Sequence, residues 1–246
     1  MNNDYQIIGS GEKAIFFVHY FGGDRDSWQW LANQLKDEYT CILVNLPGFG
    51  GNVPLSTKSI PEFSKWIKEL VIKLHLKDYV LCGHSMGAKL VLYAATLLTT
   101  NKPSQILLIA PSPPTIEKME EQEKERMLKH PDRDVAIETV KKVTVQKLKQ
   151  ERFDHAVQSQ LIIDQKTWKW WINSGMNNSI AAKVKNLTIP VHVICSQDDP
   201  VIPLDDIHNE VIPYLTNSQL TILIDAGHLI PMEIPETLAQ IIKENV

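Results

Sequence analysis

A serine between two glycines, in the pentapeptide Gly83-His84-Ser85-Met86-Gly87, is the strongest candidate for chemistry in this chain. The pattern G-x-S-x-G is typical of a sharp turn from a strand into a helix, which exposes the serine hydroxyl at the edge of a sheet. The glycines suit such a turn because it brings backbone segments too close for a Cβ atom. An apolar run, 79–82, comes before the pentapeptide, and a helix-like run, 88–98, follows it. We therefore predict that Ser85 is a nucleophile.

A serine is a weak nucleophile on its own and needs a base, which a third group orients. His228 follows the apolar run 219–224 after a short turn, at the carboxyl end of a predicted strand, where reactive groups of an α/β sheet collect. Of the other histidines, His19 ends a strand beside a glycine loop, which suits a structural role, and His84 is expected to point away from Ser85. The remaining histidines lie within a predicted strand or on predicted helices. We predict that His228 is the base.

Two neighbouring acids, Asp198 and Asp199, follow the predicted strand that ends at Cys195 and are both candidates to orient the base. Asp199 precedes a proline, which restricts it to an extended conformation and stiffens the turn that would aim its carboxylate. Asp225, near His228, is expected to be a turn residue, and Asp205 and Asp206 are expected to cap the next helix. The local sequence favours Asp199 and leaves Asp198 open.

Short apolar runs alternate with helical patterns, and this alternation predicts an α/β fold with a mostly parallel sheet and helices on both faces. The strands expected to position the site end near His19, the pentapeptide, Cys195 and Ile224, with a possible edge strand at 5–8. No strand-like run occurs from about 112 to 182, so we predict one domain, 1–246, with a helical lid inserted there. The charged run 117–126 is expected to be a solvated helix face, and the first helix to be capped at Asp26 or Ser27.

The composition narrows the function further. With 246 residues, of which 43% are hydrophobic, the chain can form one full-sized domain. A formal net charge of −4 gives no basic face, so we expect neither nucleic acid nor an anionic membrane as a partner, and a small neutral substrate. The three cysteines lie in apolar runs without metal-ligand spacing, and the first residues show no signal pattern. These features favour a cytoplasmic protein without a metal site.

The glycine-containing segment 9–14 fits G-x-G-x-x-A, but it precedes a strand instead of joining a strand to a helix, so dinucleotide binding is not expected. No P-loop, H-E-x-x-H or EF-hand pattern occurs in the sequence. No cofactor is predicted, and the oligomeric state is left open.

Taken together, these motifs resemble the α/β-hydrolase superfamily over nearly the whole chain. The segments that carry the resemblance are 19–23, 45–50, the pentapeptide 83–87, 198–203 and 227–228. In that family the acid usually stands four residues before a second proline-like position, which here is Pro203, so the resemblance favours Asp199 over Asp198. It also implies an oxyanion hole made by the backbone N–H groups of Phe21 and Met86.

The chain departs from the family pattern at two positions. Tyr20 stands where a glycine is common, directly before Phe21, and Asn45 stands where an aspartate is common. Lys89 is unusual on the helix after the pentapeptide and is expected at the surface or facing the lid.

The resemblance implies a serine hydrolase of the carboxylesterase class, in which Ser85 attacks an ester carbonyl and Asp199 orients His228. Trp168 and Trp171 are candidate walls of the substrate pocket, although each could equally be a core residue. Lactonases, thioesterases, hydrolases of carbon–carbon bonds and perhydrolases share the fold and are alternatives. A further alternative is a slow-turnover ligand receptor or signalling regulator that binds a protein partner through the lid.

Overall fold

The computed structural model describes residues 4–246. The predicted domain begins at Met1, and the first residues were predicted to show no signal pattern. Of these, Met1, Asn2 and Asn3 lie outside the described residues. Within 4–246, seven strands form one sheet in the order β1-β3-β2-β4-β5-β6-β7, and all neighbours are parallel except β1 and β3. The strands are β1 (Tyr5–Ile8), β2 (Lys13–Val18), β3 (Tyr39–Val44), β4 (Tyr79–His84), β5 (Gln105–Ile109), β6 (Val191–Ser196) and β7 (Ser218–Leu223).

Both faces of the sheet are apolar and covered, which confirms the predicted fold class. In β2, Phe16 and Val18 belong to one buried cluster, whereas Ile15 and Phe17 belong to the other. Successive side chains of a strand point to opposite faces, so a strand buried on both faces reads as a continuous apolar run. The helices are α1 (Gln29–Leu35), α2 (Ile60–Lys73), α3 (Met86–Leu97), α4 (Glu121–Met127), α5 (Arg133–Val143), α6 (Gln150–Leu161), α7 (Gln165–Trp170), α8 (Ala181–Val184), α9 (Leu204–Asp206), α10 (Ile230–Glu233) and α11 (Pro235–Asn245).

The helices divide between the two faces in the way their apolar stripes require. Helices α2 and α3 pack on the face that contains Phe16, and α1 and α11 pack on the face that contains Phe17. Helix α2 begins where the Ser59 hydroxyl accepts the N–H of Glu62 at 3.3 Å, with proline in its first turn. Such a start satisfies a backbone donor that the helix itself leaves unpaired.

Helices α4 to α8 lie between β5 and β6, in the stretch where the sequence predicts a helical lid. Two of them begin at aspartate caps: Asp132 accepts the N–H groups of Asp134 and Val135, and Asp164 accepts the N–H of Thr167. A π-helical turn, Trp171–Gly175, continues α7. Between 110 and 190 the described chain contains no strand.

Three local predictions are wrong. The helical run that leads into α1 begins as a 3-10 turn, Arg25–Trp28, and its cap is Asp24, which accepts the N–H of Asp26 at 3.0 Å, while the Ser27 hydroxyl accepts the N–H of Asp24 in return. Asp205 and Asp206 lie inside α9, which Pro203 precedes as the cap residue. The charged run 117–126 is not one solvated face, because α4 begins only at Glu121 and Glu117 is buried.

Among the described residues, 4–246, no helix is both long and apolar enough to cross a membrane.

Candidate active site

Ser85 lies at the turn between β4 and α3 in a backbone conformation that side-chain-bearing residues rarely adopt, with φ 53° and ψ −117°. The flanking glycines make this turn possible. A Cβ on Gly83 would lie 2.5 Å from the carbonyl oxygen of Gly87, and a Cβ on Gly87 would lie 2.4 Å from the carbonyl oxygen of Val18. Rare backbone conformations of this kind are found most often at functional sites.

The side chains of Ser85, His228 and Asp199 form one hydrogen-bonded row. His228 Nε2 lies 2.8 Å from Ser85 Oγ, and His228 Nδ1 lies 2.8 Å from Asp199 Oδ2. All three residues are buried. They come from the ends of β4, β6 and β7, which meet at the carboxyl edge of the sheet.

Asp199, and not Asp198, contacts His228. The second oxygen of Asp199, Oδ1, accepts the N–H groups of Val201 at 2.8 Å and Ile202 at 3.1 Å, which fixes the carboxylate in place. Asp198 is exposed, and its Oδ2 instead accepts the N–H of Asp225 at 2.8 Å. Asp225 adopts a positive φ of 56°, as suits the predicted turn.

The row determines where the proton of His228 lies. Because a carboxylate only accepts hydrogen bonds, the proton stands on Nδ1 toward Asp199, and Nε2 is left to accept the hydroxyl proton of Ser85. Burial lowers the pKa of His228, but nearby carboxylates, Asp199 first among them, more than offset this and raise it above its usual value. The Asp199 carboxylate therefore favours the protonated form of His228.

The loop that carries His228 is held by a carboxylate that the sequence analysis did not single out. Glu233 Oε1 accepts the N–H of Leu229 at 3.0 Å, and Oε2 accepts the N–H of Gly227 at 2.9 Å. The same Oε2 also accepts the N–H groups of Val145 and Gln146, both at 2.8 Å, from the segment after α5. Glu233 thus joins the His228 loop to the lid.

Two further buried histidines form hydrogen bonds to the backbone around the site. His84 Nε2 donates to the carbonyl oxygen of His228 at 2.7 Å, and burial lowers the pKa of His84, so its ring is neutral. His19 Nδ1 donates to the carbonyl oxygen of Tyr20, and its Nε2 accepts the N–H of Leu46 at 3.2 Å. Burial lowers the pKa of His19 to about 4, in keeping with this neutral structural arrangement.

The N–H groups of Phe21 and Met86 lie in the loop after β2 and at the first position of α3. The first N–H groups of a helix have no partner within it. Across the described part of the chain, 4–246, neither N–H has an acceptor. The loop is fixed at its next residue, because the Ser159 hydroxyl of α6 donates to the carbonyl oxygen of Gly22 at 2.9 Å.

Tyr20, which replaces a common glycine, is accommodated in this loop by its neighbours. A Cβ on Gly23 would come within 2.4 Å of the Tyr20 ring, so the ring occupies the space that a side chain there would need. The ring also lies 5.1 Å from that of His84, centre to centre. With Tyr20 in this place, the Phe21 N–H has no intramolecular acceptor in the described chain.

A cavity of about 490 Å³ opens over Ser85 and His228, beneath the lid. Its size is that of a small-molecule site. Trp168 and Trp171 both line it and are almost fully buried, so each is a cavity wall and a packed residue at once. Trp168 packs against Phe21, with ring centres 4.2 Å apart, and its Nε1 donates to the carbonyl oxygen of Met127. The rest of the wall is mainly apolar, including Met119, Met127 and Val201.

Comparison with known proteins identifies the family of this fold. Residues 15–241 match the model of the alpha/beta hydrolase family. The chain belongs to the alpha/beta hydrolase family. An esterase from Exiguobacterium antarcticum superposes on this alpha/beta hydrolase with a TM-score of 0.89 at 15% identity, covering 98% of this chain and 93% of the other. At that identity, the likeness shows a shared fold.

Curated relatives match shorter segments of this alpha/beta hydrolase. Over 108 residues it is 34% identical to the pimeloyl-(acyl-carrier protein) methyl ester esterase of Pseudoalteromonas atlantica, covering 44% of this chain and 40% of the relative. Over 107 residues it is 29% identical to the dihydrolipoyllysine-residue acetyltransferase component of the acetoin cleaving system of Cupriavidus necator, covering 43% of this chain and 28% of the relative. The matched segments span less than half of either relative's length.

Within this alpha/beta hydrolase, two charged residues are buried near the cavity. Lys89 is fully buried, and its Nζ donates to the carbonyl oxygens of Thr115 at 2.8 Å and Met176 at 3.3 Å. Of the two predicted positions for Lys89, the surface is wrong, and its ammonium faces the inserted segment. Glu117 lines the cavity with 8% of its surface exposed. The sequence signal for a buried charge was Lys89, because it interrupts an apolar helix pattern. Glu117 gave no such signal, because it lies in a run of charged residues.

Proposed function

We propose that this protein is a serine hydrolase that cleaves a small neutral carboxylic ester through an acyl-enzyme. The observation that carries the proposal is the buried row Ser85–His228–Asp199, with 2.8 Å at each contact. A hydroxyl, an imidazole and a carboxylate in this order provide a nucleophile, a base and a group that orients the base. The mainly apolar cavity above Ser85 suits an uncharged acyl or alcohol group.

The first half of the reaction forms the acyl-enzyme. Ser85 Oγ attacks the carbonyl carbon of the ester while His228 Nε2 takes the hydroxyl proton. The carbonyl oxygen becomes an oxyanion, which the N–H groups of Phe21 and Met86 receive. Each such donor typically contributes a factor of ~10²–10³ in rate. As the tetrahedral intermediate collapses, His228 returns the proton to the alcohol oxygen, and the alcohol leaves.

The second half regenerates the enzyme. Water attacks the acyl carbon while His228 Nε2 takes one of its protons, and the second intermediate forms in the same oxyanion pocket. Its collapse breaks the bond to Ser85 Oγ, which takes the proton from His228, and the acid leaves. Throughout, Asp199 orients His228 and stabilises the imidazolium.

The test is hydrolysis of p-nitrophenyl esters together with labelling by a fluorophosphonate. Ser85→Ala should lower kcat by at least about 10⁴-fold and abolish labelling, because the nucleophile is removed. Ser174→Ala, on an exposed part of the lid, is the matched control and should behave as the wild type. Retained hydrolysis or labelling in Ser85→Ala would exclude Ser85 from the mechanism.

A substrate panel separates ester cleavage from the other reactions that the fold supports. Lactones, thioesters and substrates with a cleavable carbon–carbon bond are compared with esters under the same conditions. Faster turnover of one of these classes would replace the ester as the proposed substrate. Labelling of Ser85 with turnover that stops after a few cycles would instead favour a ligand receptor.

A further inference from the structure

Glu117 is the feature of the cavity that ester hydrolysis leaves unexplained. It lies between β5 and α4, and its N–H donates to the carbonyl oxygen of Met176 at 3.0 Å, which fixes its backbone. Its side chain lines the same cavity as Ser85 and His228 and is more than nine-tenths buried. Other charged side chains along this cavity reach solvent; these are Lys118, Glu120, Glu123 and Lys142.

The Glu117 carboxyl has no ion-pair partner that would explain its burial. Its Oε2 is enclosed and makes no hydrogen bond, and the nearby Ser112 hydroxyl lowers the pKa of the carboxyl without meeting the geometry of a hydrogen bond to it. Within residues 4–246, Glu117 forms no ion pair at contact distance: the buried Lys89 ammonium donates to two carbonyl oxygens instead. Burying an unpaired carboxyl costs stability. A group retained at such a cost beside reactive residues is a candidate for binding a ligand.

Two neighbouring groups limit the rise that burial causes in the pKa of this carboxyl. Burial raises the pKa of Glu117, while the Ser112 hydroxyl and the Lys89 ammonium oppose the rise. Burial also lowers the pKa of Lys89 to about 8. Glu117 and His228 line the same cavity, and the Glu117 carboxyl contributes to the raised pKa of His228.

We propose that Glu117 is a specificity residue whose carboxyl binds a hydrogen-bond donor, a hydroxyl or an ammonium group, on a substrate whose ester carbonyl lies at Ser85. The inference rests on the proposed ester cleavage at Ser85 and modifies its substrate class: a hydroxyl donor keeps the ester neutral, whereas an ammonium donor makes it a cation. The preferred substrate is an ester that is apolar along most of its length and carries one donor group on its acyl or alcohol part. The apolar walls of the cavity contact the hydrocarbon part of the substrate, and the Glu117 carboxyl accepts a hydrogen bond from its donor group.

The test compares plain p-nitrophenyl alkanoates with their ω-hydroxy and ω-ammonium counterparts over a series of chain lengths. Alkyl acetates and ω-substituted alkyl acetates, followed by acid release, test the alcohol side. We expect the wild type to prefer a donor-bearing ester by about 10- to 100-fold in kcat/KM at one chain length. No preference at any length on either side would overturn the proposal, while hydrolysis of the plain esters would leave the proposed function intact.

Two substitutions of Glu117 distinguish the hydroxyl from the ammonium. Glu117→Gln keeps an acceptor oxygen but no charge, so it should retain hydroxyl recognition and lose ammonium recognition. Glu117→Ala should lose both. A preference that survives in Glu117→Ala would overturn the proposal. Glu125→Gln, an exposed acid of the same segment outside the cavity, is the matched control.

Two further measurements separate recognition from a structural role. Both Glu117 variants should have a Tm equal to or above that of the wild type, because they remove an unpaired buried carboxyl; a marked loss of Tm would indicate a structural residue instead. Calorimetric binding of the intact esters to Ser85→Ala gives the same comparison without turnover. An equal Kd for plain and donor-bearing esters there would refute the proposal even if hydrolysis were absent.

Discussion

Replacing Asp199 with asparagine is the sharpest test of the hydrogen-bonded row. The asparagine oxygen has a fixed place, because Oδ1 of Asp199 accepts the N–H groups of Val201 and Ile202. The new NH₂ group must then occupy the position of Oδ2, 2.8 Å from His228 Nδ1. An NH₂ group can only donate, so Nδ1 becomes the acceptor and the imidazole proton moves to Nε2.

The size of the effect follows from this change of tautomer. With a proton on Nε2, His228 donates to Ser85 and no longer accepts its proton, so the base is lost while the fold is kept. A tautomer change of this kind lowers kcat by about 10⁴-fold in serine proteases, or about 5.5 kcal/mol in the barrier. We expect an effect of this order for Asp199→Asn, with little change in the free energy of unfolding.

The assay is kcat for a p-nitrophenyl ester together with the rate constant of fluorophosphonate labelling. Asp198→Asn is the matched control, because its oxygen can still accept the N–H of Asp225 and its side chain is exposed. The control should retain kcat within about threefold. Equal losses in the two variants, or a loss of less than about tenfold in folded Asp199→Asn, would refute the reasoning.

Two further predictions concern the base and its loop. Since only neutral imidazole accepts a proton and nearby carboxylates raise the pKa of His228 above 6.5, kcat/KM should fall as the pH drops through a midpoint above 6.5; a midpoint below 6.5 would contradict this. Glu233→Gln places an NH₂ group against a backbone N–H, so it should lower the free energy of unfolding by about 1.5–3 kcal/mol and reduce kcat more than it changes KM. Urea unfolding measures the free energy of unfolding, and ester kinetics measure kcat and KM. Wild-type values of all three in Glu233→Gln would argue against a positioning role for Glu233.

The fold and the row of three side chains could be predicted because each depends on local patterns. The turn at Ser85 needs two glycines and a strand and helix beside it, and all of these are adjacent in sequence. His228 and Asp199 each follow a strand, and parallel strands bring their carboxyl ends to one edge. The resemblance to a family then favoured Asp199 over its neighbour, and the contact with His228 is made by Asp199.

The residues that sequence reasoning missed act through contacts between distant segments. Glu233 accepts N–H groups from 145 and 146, almost ninety positions away. Glu117 stands in a run of charges whose simplest interpretation is a solvated helix, and only the course of the chain before α4 buries it. The cap at Asp24 was missed for a different reason, because Asp24, Asp26 and Ser27 all have cap-forming side chains and only the backbone geometry distinguishes them.

The double attachment of Glu233 constrains how lids can be exchanged among relatives of this chain. Two of its bonds are to backbone N–H groups of the inserted segment, and His228 itself donates its N–H to the carbonyl oxygen of Val143 at 2.7 Å. In a chimaera that joins the lid of another protein to this core, the His228 loop would lose these bonds and its imidazole would be less well fixed. This would be avoided only if the new lid provided two N–H groups and a carbonyl oxygen at the same places. New substrate ranges should be easier to reach by changing side chains within this lid than by replacing it.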